Sequence, residues 1–173
     1  MPLDSLSGFR PWLAASLVES SYYEAMQLPG KGTAEKVLIA QAGSAGVQLA
    51  SEFEANDDVL RFMGEMSPAE DLQFLQYTLD HILDGQTENE RIYSLWARGD
   101  LSGAEGMVAR IQASQPDLYR KHVIGRNQGW VPRIDAMLKA DKPSLVVVGL
   151  YHIAGPDGVP VQLRKKGFSV RQV

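Results

Sequence analysis

Apolar residues recur along the first half of the chain at the spacing of helices. Trp12, Leu13, Leu17 and Val18 follow Pro11, a residue suited to a first helical turn, and predict a helix over residues 9–27. "QLPGKGTAEK" (27–36) reads as a loop of turn formers, leading into a helix over 33–44 that closes around Gly43 to Gly46. "MSPAEDLQFLQYTLDHILDGQ" carries the clearest local signal: Ser67 at the N-cap, Pro68 at the first helical position and Glu70 three residues after the cap form a capping box. Leu72, Leu75, Leu79, Ile82 and Leu83 then share one face, and Gly85 is a natural residue to end the helix. "ENERIYSLWARGD" predicts a further helix ending at Gly99, and "LSGAEGMVARIQAS" another. After Pro116 a long helical stretch runs to about Lys139, with an irregularity expected near Pro132, which removes a backbone donor.

Elsewhere the pattern changes to that of strands. "GVQLASEF" (46–53) alternates weakly. "PSLVVVGLY" (143–151) is an unbroken Val-rich run of the buried type, bounded by Pro143 and containing Gly149. "GVPVQLRKKGFSVRQV" reads as a short helix, a turn at Gly167 and a last strand. The expected fold class is therefore α/β, mostly helical by content, with a small sheet and helices packed around it. A sheet of about three strands is thin, because its edges stay unpaired, and this hints that sheet-forming sequence is missing.

Composition narrows the function classes. The 173 residues suit a single domain over 1–173, with an ordinary 45% hydrophobic and 22% charged content. A net charge of −4 and the lack of a basic stripe with interleaved aromatics argue against nucleic acid as a partner. Cysteine is absent, which removes disulfides, thiolate metal sites and a Cys nucleophile. The apolar runs fall far below the ~20 residues that span a bilayer, so no transmembrane segment is expected. The first twenty residues lack the basic-then-apolar order of a signal peptide.

Few residues can carry chemistry. Of three histidines, His81 lies opposite the leucine face of its helix and His122 stands beside Arg120 and Lys121, so both read as surface residues. His152, just past a buried-type strand and among glycines, sits where open α/β folds place ligand contacts; the competing reading is a loop imidazole at a strand end. One histidine cannot by itself make a metal site. Glu52 and Glu54, in the acidic run "EFEANDD", read as a solvated loop, yet Glu52 also ends a predicted strand and would meet His152 if the two strands were parallel neighbours. In "GRNQGW" (125–130) Asn127 falls on one helical face with Tyr119, Val123, Trp130 and Ile134, and Arg126 borders it. A buried Asn needs hydrogen-bond partners, so this pair either braces a loop or supports a nearby site. No G-x-S-x-G, Walker, G-x-G-x-x-G or H-E-x-x-H motif is present, and "GLYHIAG" lacks the Lys of a phosphate loop.

Taken together these residues resemble the TraB/GumN family over essentially the whole chain. Gly149 and His152 match its G-x-x-H element, and Gly155, Asp157, Gly158, Leu163 and Gly167 match the family's closing motif downstream of that histidine. Arg126 and Asn127 match its "RN" pair, Trp130 its aromatic position, "RPW" (10–12) a family helix, and Glu52 its glutamate, with Ser51 in place of the usual Leu and Glu54 as the alternative. The family is similar to the Tiki proteases, the pheromone-shutdown proteins and the erythromycin-esterase-like enzymes. The resemblance implies an α/β fold and a metal-dependent hydrolase or peptidase of unassigned substrate, a small molecule or a peptide. A divalent metal (Mn, Co or Zn) would be held by two G-x-x-H motifs and a glutamate, with His152 and Glu52 as ligands here, or Glu52 as general base, and Arg126 or Asn127 orienting a ligand or stabilising an oxyanion. The chain departs from the pattern in having only one G-x-x-H, so the resemblance implies an incomplete domain lacking N-terminal strands, with weak or absent metal binding. It also leaves open a non-catalytic binding or inhibitory protein, or a homodimer that supplies the missing strands or ligands. An extracytoplasmic location is implied by the family alone.

Overall fold

The computed structural model describes residues 3–26, 33–140 and 142–173. Every element in it is helical. The α-helices are α1 (Pro11–Ala25), α2 (Thr33–Ser44), α3 (Asn56–Gly64), α4 (Pro68–Arg98), α5 (Leu101–Ser114), α6 (Pro116–Tyr119), α7 (Arg126–Lys139) and α8 (Val159–Lys165). Short 3₁₀ turns occupy Leu3–Leu6 and Leu150–His152, and a π-helical segment, Arg120–Gly125, joins α6 to α7. Among the described residues no helix is long and apolar enough to cross a membrane. Residues 27–32 of the loop expected before α2 lie outside the described residues.

The chain divides into two compact units, Met1–Leu83 and Asp84–Val173, and the division falls within α4. In the first unit the entry to α1 is fixed by one arginine. Arg10 Nε and Nη2 donate to Asp71 Oδ2 at 2.9 and 2.8 Å, and its Nη1 and Nη2 donate to the carbonyls of Gly64 and Met66. Asp71 is buried, and its second oxygen, Oδ1, meets no donor among the described residues. The start of α4 carries the capping box expected there: the Ser67 N–H donates to Glu70 at 2.6 Å, and the Glu70 N–H to the Ser67 hydroxyl at 3.3 Å. Gly85 does not end this helix, whose backbone continues to Arg98. A glycine inside a helix costs only about 1 kcal/mol, and no proline follows to remove a donor. The apolar face foreseen on α4 is unevenly used, with Leu75 and Ile82 half-buried but Leu72, Leu79 and Leu83 exposed.

The second unit has two small cores. Ala104 and Val108 of α5 pack with Tyr119, Val123 and Ala154, while Val131 and Ile134 of α7 pack with Val159 and Leu163 of α8, flanked by Trp130, Phe168 and Val170. Asp100 caps α5 by accepting the Gly103 N–H at 2.9 Å.

The α/β expectation is overturned: the described residues contain no strand and no sheet. The three segments with strand-like sequence, 46–53, 143–149 and 168–173, are irregular. Leu145 is 77% exposed, and Val146 and Val147 are exposed beside it. The reason is that strand hydrogen bonds lie with a neighbouring strand, so β-branched composition favours an extended chain without providing its partner. In the last segment single contacts stand in for a ladder, with Arg164 Nη2 donating to the Val170 carbonyl at 3.1 Å and Gln172 Nε2 to that of Gly99 at 2.6 Å.

Candidate functional site

His152 is placed by a helix and a glycine loop. The stretch from α6 through the π segment to α7 is one continuous rod, since Arg120 and Arg126 at its two junctions both keep right-handed helical backbone. The irregularity in this rod is thus the π segment, ahead of Pro132, which stays inside α7. Facing it, the chain turns through Leu150–His152, where the His152 N–H donates to the Gly149 carbonyl at 3.0 Å. It then folds back through Gly155 and Gly158 into α8.

Two of these glycines are forced. Gly155 has a φ of +78°, and a Cβ there would stand 3.0 Å from Val108 Cγ1. At Gly158 a Cβ would come within 2.6 Å of the Ile153 carbonyl oxygen, a backbone atom that cannot swing away. Gly149, the glycine of G-x-x-H, has ordinary extended backbone, and its nearest neighbour to an added Cβ is His152 Cδ2 at 3.9 Å.

The loop lays His152 against α7. His152 is 8% exposed and Asn127 1%. The Asn127 amide nitrogen donates to the carbonyl of Asp157 at 2.8 Å and, more weakly, to that of His152 at 3.4 Å. Two carbonyls at one end of the amide fix which end carries the hydrogens, so Oδ1 is the atom that faces His152 Nδ1 at 2.8 Å. An amide oxygen can only accept; Nδ1 therefore carries a hydrogen, and in the neutral ring the lone pair is on Nε2. Arg126 Nη1 stands 3.5 Å from that Nε2. Trp130 completes the setting, its ring centroid 4.5 Å from the imidazole and 4.8 Å from Arg126 Cζ. Farther back along the rod, the fully buried Tyr119 donates its hydroxyl to Asp157 Oδ2 at 3.1 Å. Burial, with the Asp157 carboxylate beside it, pushes the Tyr119 phenol up to about 12.

His152, Arg126 and Asn127 thus come together, though the strand expected to carry His152 is absent among the described residues. Asn127 braces the loop with its nitrogen, and its oxygen meets the imidazole Nδ1. Glu52 and Glu54 belong to the first unit, in the irregular stretch before α3, with Glu52 half-buried and Glu54 exposed. His122 is half-buried in the π segment, and His81 is half-buried on α4, stacked on Tyr77 with centroids 6.1 Å apart. Tyr119 entered the sequence reading only as an apolar position. No local signal in the sequence marked its role, since a spacing of four at 119, 123 and 127 is one that an ordinary helix also places on a single face.

Within the second unit the donors nearest His152 are turned to other partners. Nε2 faces a guanidinium, Asn127 Oδ1 is committed to Nδ1, and the nearby Asp157 carboxylate is committed to Tyr119. Among the described residues no three His, Cys, Asp or Glu side chains gather as metal ligands would. What the arrangement offers chemically is a buried imidazole of fixed tautomer, with its Nε2 lone pair next to a fixed positive charge.

A search of curated proteins and a search of solved structures each found no match. The model of the TraB/PrgY/gumN family matches residues 1–172. With nearly the whole chain matched, and His152, Arg126 and Asn127 gathered in one site, the chain belongs to the TraB/PrgY/gumN family.

Proposed function

We propose that the His152 site is the acid–base centre of a hydrolytic reaction, acting on an ester or amide bond of a small molecule or peptide. The observation that carries this reading is the Asn127 Oδ1 contact to Nδ1, which makes Nε2, 3.5 Å from Arg126 Nη1, the basic atom of the neutral ring. In the proposed reaction a water molecule that takes the place of Arg126 Nη1 at Nε2 gives up its proton to that nitrogen as it attacks the carbonyl carbon. The imidazolium then returns that proton to the departing oxygen or nitrogen. Arg126, beside Nε2, offers a positive charge to the oxyanion that forms at the carbonyl, and Trp130 gives the guanidinium and the imidazole an apolar backing. Metal is given no step, because the donors of this unit nearest His152 are turned to other partners.

The test is hydrolysis of a panel of nitrophenyl esters and fluorogenic peptides by the full chain, with and without added Mn²⁺, Co²⁺ or Zn²⁺. The expected result is turnover that needs no added metal and that His152→Ala lowers by about 100-fold or more. Turnover indifferent to His152→Ala, or the absence of turnover throughout the panel, contradicts the reading; the latter favours a non-catalytic binding or inhibitory role. Tight one-to-one metal binding that His152→Ala abolishes would contradict the exclusion of metal.

A further inference from the structure

Asn127 can hold His152 only while its own amide is held, and the main support of that amide is the Asp157 carbonyl at 2.8 Å, since the bond to the His152 carbonyl is long at 3.4 Å. Asp157 sits in the loop between His152 and α8, a segment built on Gly155 and Gly158 and containing no helix or strand of its own. Such a loop owes its position to whatever fastens it. Besides Asn127 itself and the packing of Ala154, the rod holds this loop by the bond from the Tyr119 hydroxyl to Asp157 Oδ2 at 3.1 Å.

The π segment explains why one rod can supply both ends of this tie. Tyr119 and Asn127 are eight residues apart, and in an ordinary α-helix eight residues overshoot two turns by about 80°. The π segment Arg120–Gly125 lies between them, and its wider turns take up that overshoot. The two side chains then reach the same residue, Tyr119 its carboxylate and Asn127 its carbonyl.

We propose that Tyr119 is a positioning residue for His152: through Asp157 it holds the Asn127 amide in the orientation that keeps the hydrogen of the imidazole on Nδ1. It acts through the Tyr119–Asp157–Asn127–His152 series of hydrogen bonds. Its phenol, pushed up to about 12, stays a protonated donor throughout the range in which the imidazole would work. Ala104, Val108, Val123 and Ala154 keep it in a buried setting, so the hydroxyl has little water to turn to when the loop shifts.

This inference rests on the proposed acid–base role only for its catalytic consequence; the positional claim can be read without any substrate. The experiment is imidazole nitrogen NMR on the full chain labelled with ¹⁵N histidine, comparing wild type with Tyr119→Phe, Asp157→Ala and Asp157→Asn. Wild type is expected to show His152 as one tautomer, hydrogen on Nδ1. Tyr119→Phe and Asp157→Ala are expected to move the Nδ1 and Nε2 shifts toward each other as the two tautomers mix. Asp157→Asn keeps an oxygen that can accept the Tyr119 hydroxyl, and is expected to restore the wild-type shifts. A merely packing role for Tyr119 would leave the tautomer unchanged, and unchanged shifts in Tyr119→Phe overturn the proposal. Where Tyr119→Phe fails to fold, the contrast between Asp157→Ala and Asp157→Asn decides it by the same reading. In the hydrolysis panel, Tyr119→Phe is expected to lower His152-dependent turnover about 10-fold. Loss of the tautomer effect with turnover intact strikes the positioning claim, whereas turnover that survives His152→Ala strikes the acid–base reading and leaves the tautomer result standing.

Discussion

The backbone around His152 makes opposite demands on its glycines. At Gly158 an added Cβ would sit 2.6 Å from the Ile153 oxygen, so Gly158→Ala must move backbone, at a cost of about 1–3 kcal/mol. At Gly149 an added Cβ meets only His152 Cδ2, at 3.9 Å, so Gly149→Ala is expected to fall within about 0.5 kcal/mol of wild type. Urea unfolding of the two variants checks the contrast. Tyr119 makes a separate, pH-dependent demand. Its phenol is pushed up to about 12 in the folded chain, against 10.0 for a free tyrosine, so its neutral form is the one that folding favours. This stability is fully present below pH 10 and is lost as pH rises toward 12, because the unfolded chain gives up the proton first. Alkaline unfolding is therefore expected to lose this component in Tyr119→Phe, and the late-ionising phenolate in an absorbance titration of the folded wild type should be missing from that variant.

Among elements, α1 and α4 are tied by charge where the sequence reading saw only helical spacing. Arg10 donates to one oxygen of the buried Asp71 and to two carbonyls, a set that "RPW" does not announce because its partners lie more than fifty residues away. Arg10→Ala would leave Asp71 with neither oxygen paired among the described residues, and is expected to destabilise the first unit by about 1–3 kcal/mol. Thermal unfolding of the full chain checks this, and an unchanged midpoint would show the tie to be idle. The helices themselves were legible wherever a local cap or start was present. The Ser67–Glu70 box and Pro11 act within one turn, and both are found where the spacing placed them. The π segment was not legible; the sequence pointed to Pro132, since a proline announces a lost donor while a widened turn has no residue type of its own.

For the molecule as a whole, what failed is the part of the fold that depends on partners far away in the chain. "SLVVVGL" has the composition of a buried strand, yet Leu145 is 77% exposed and no strand pairs with it among the described residues. Composition sets the preference for an extended chain, and a sheet needs a second strand to answer it. The site survived that error because its geometry comes from α7 and the glycine loop, so His152, Asn127 and Arg126 meet without the strand that was expected to bring the histidine there. Glu52 was matched to the family's glutamate by sequence, and it belongs to the first compact unit while His152 belongs to the second. The proposed chemistry therefore stands on the second unit and on one hydrogen bond within it. ¹⁵N NMR of His152 in the wild-type chain at neutral pH, compared with Asn127→Ala, tests that bond most directly. A single tautomer protonated at Nδ1, becoming mixed in Asn127→Ala, is the expected result; a hydrogen on Nε2 in the wild type, or a spectrum unmoved by Asn127→Ala, would contradict it.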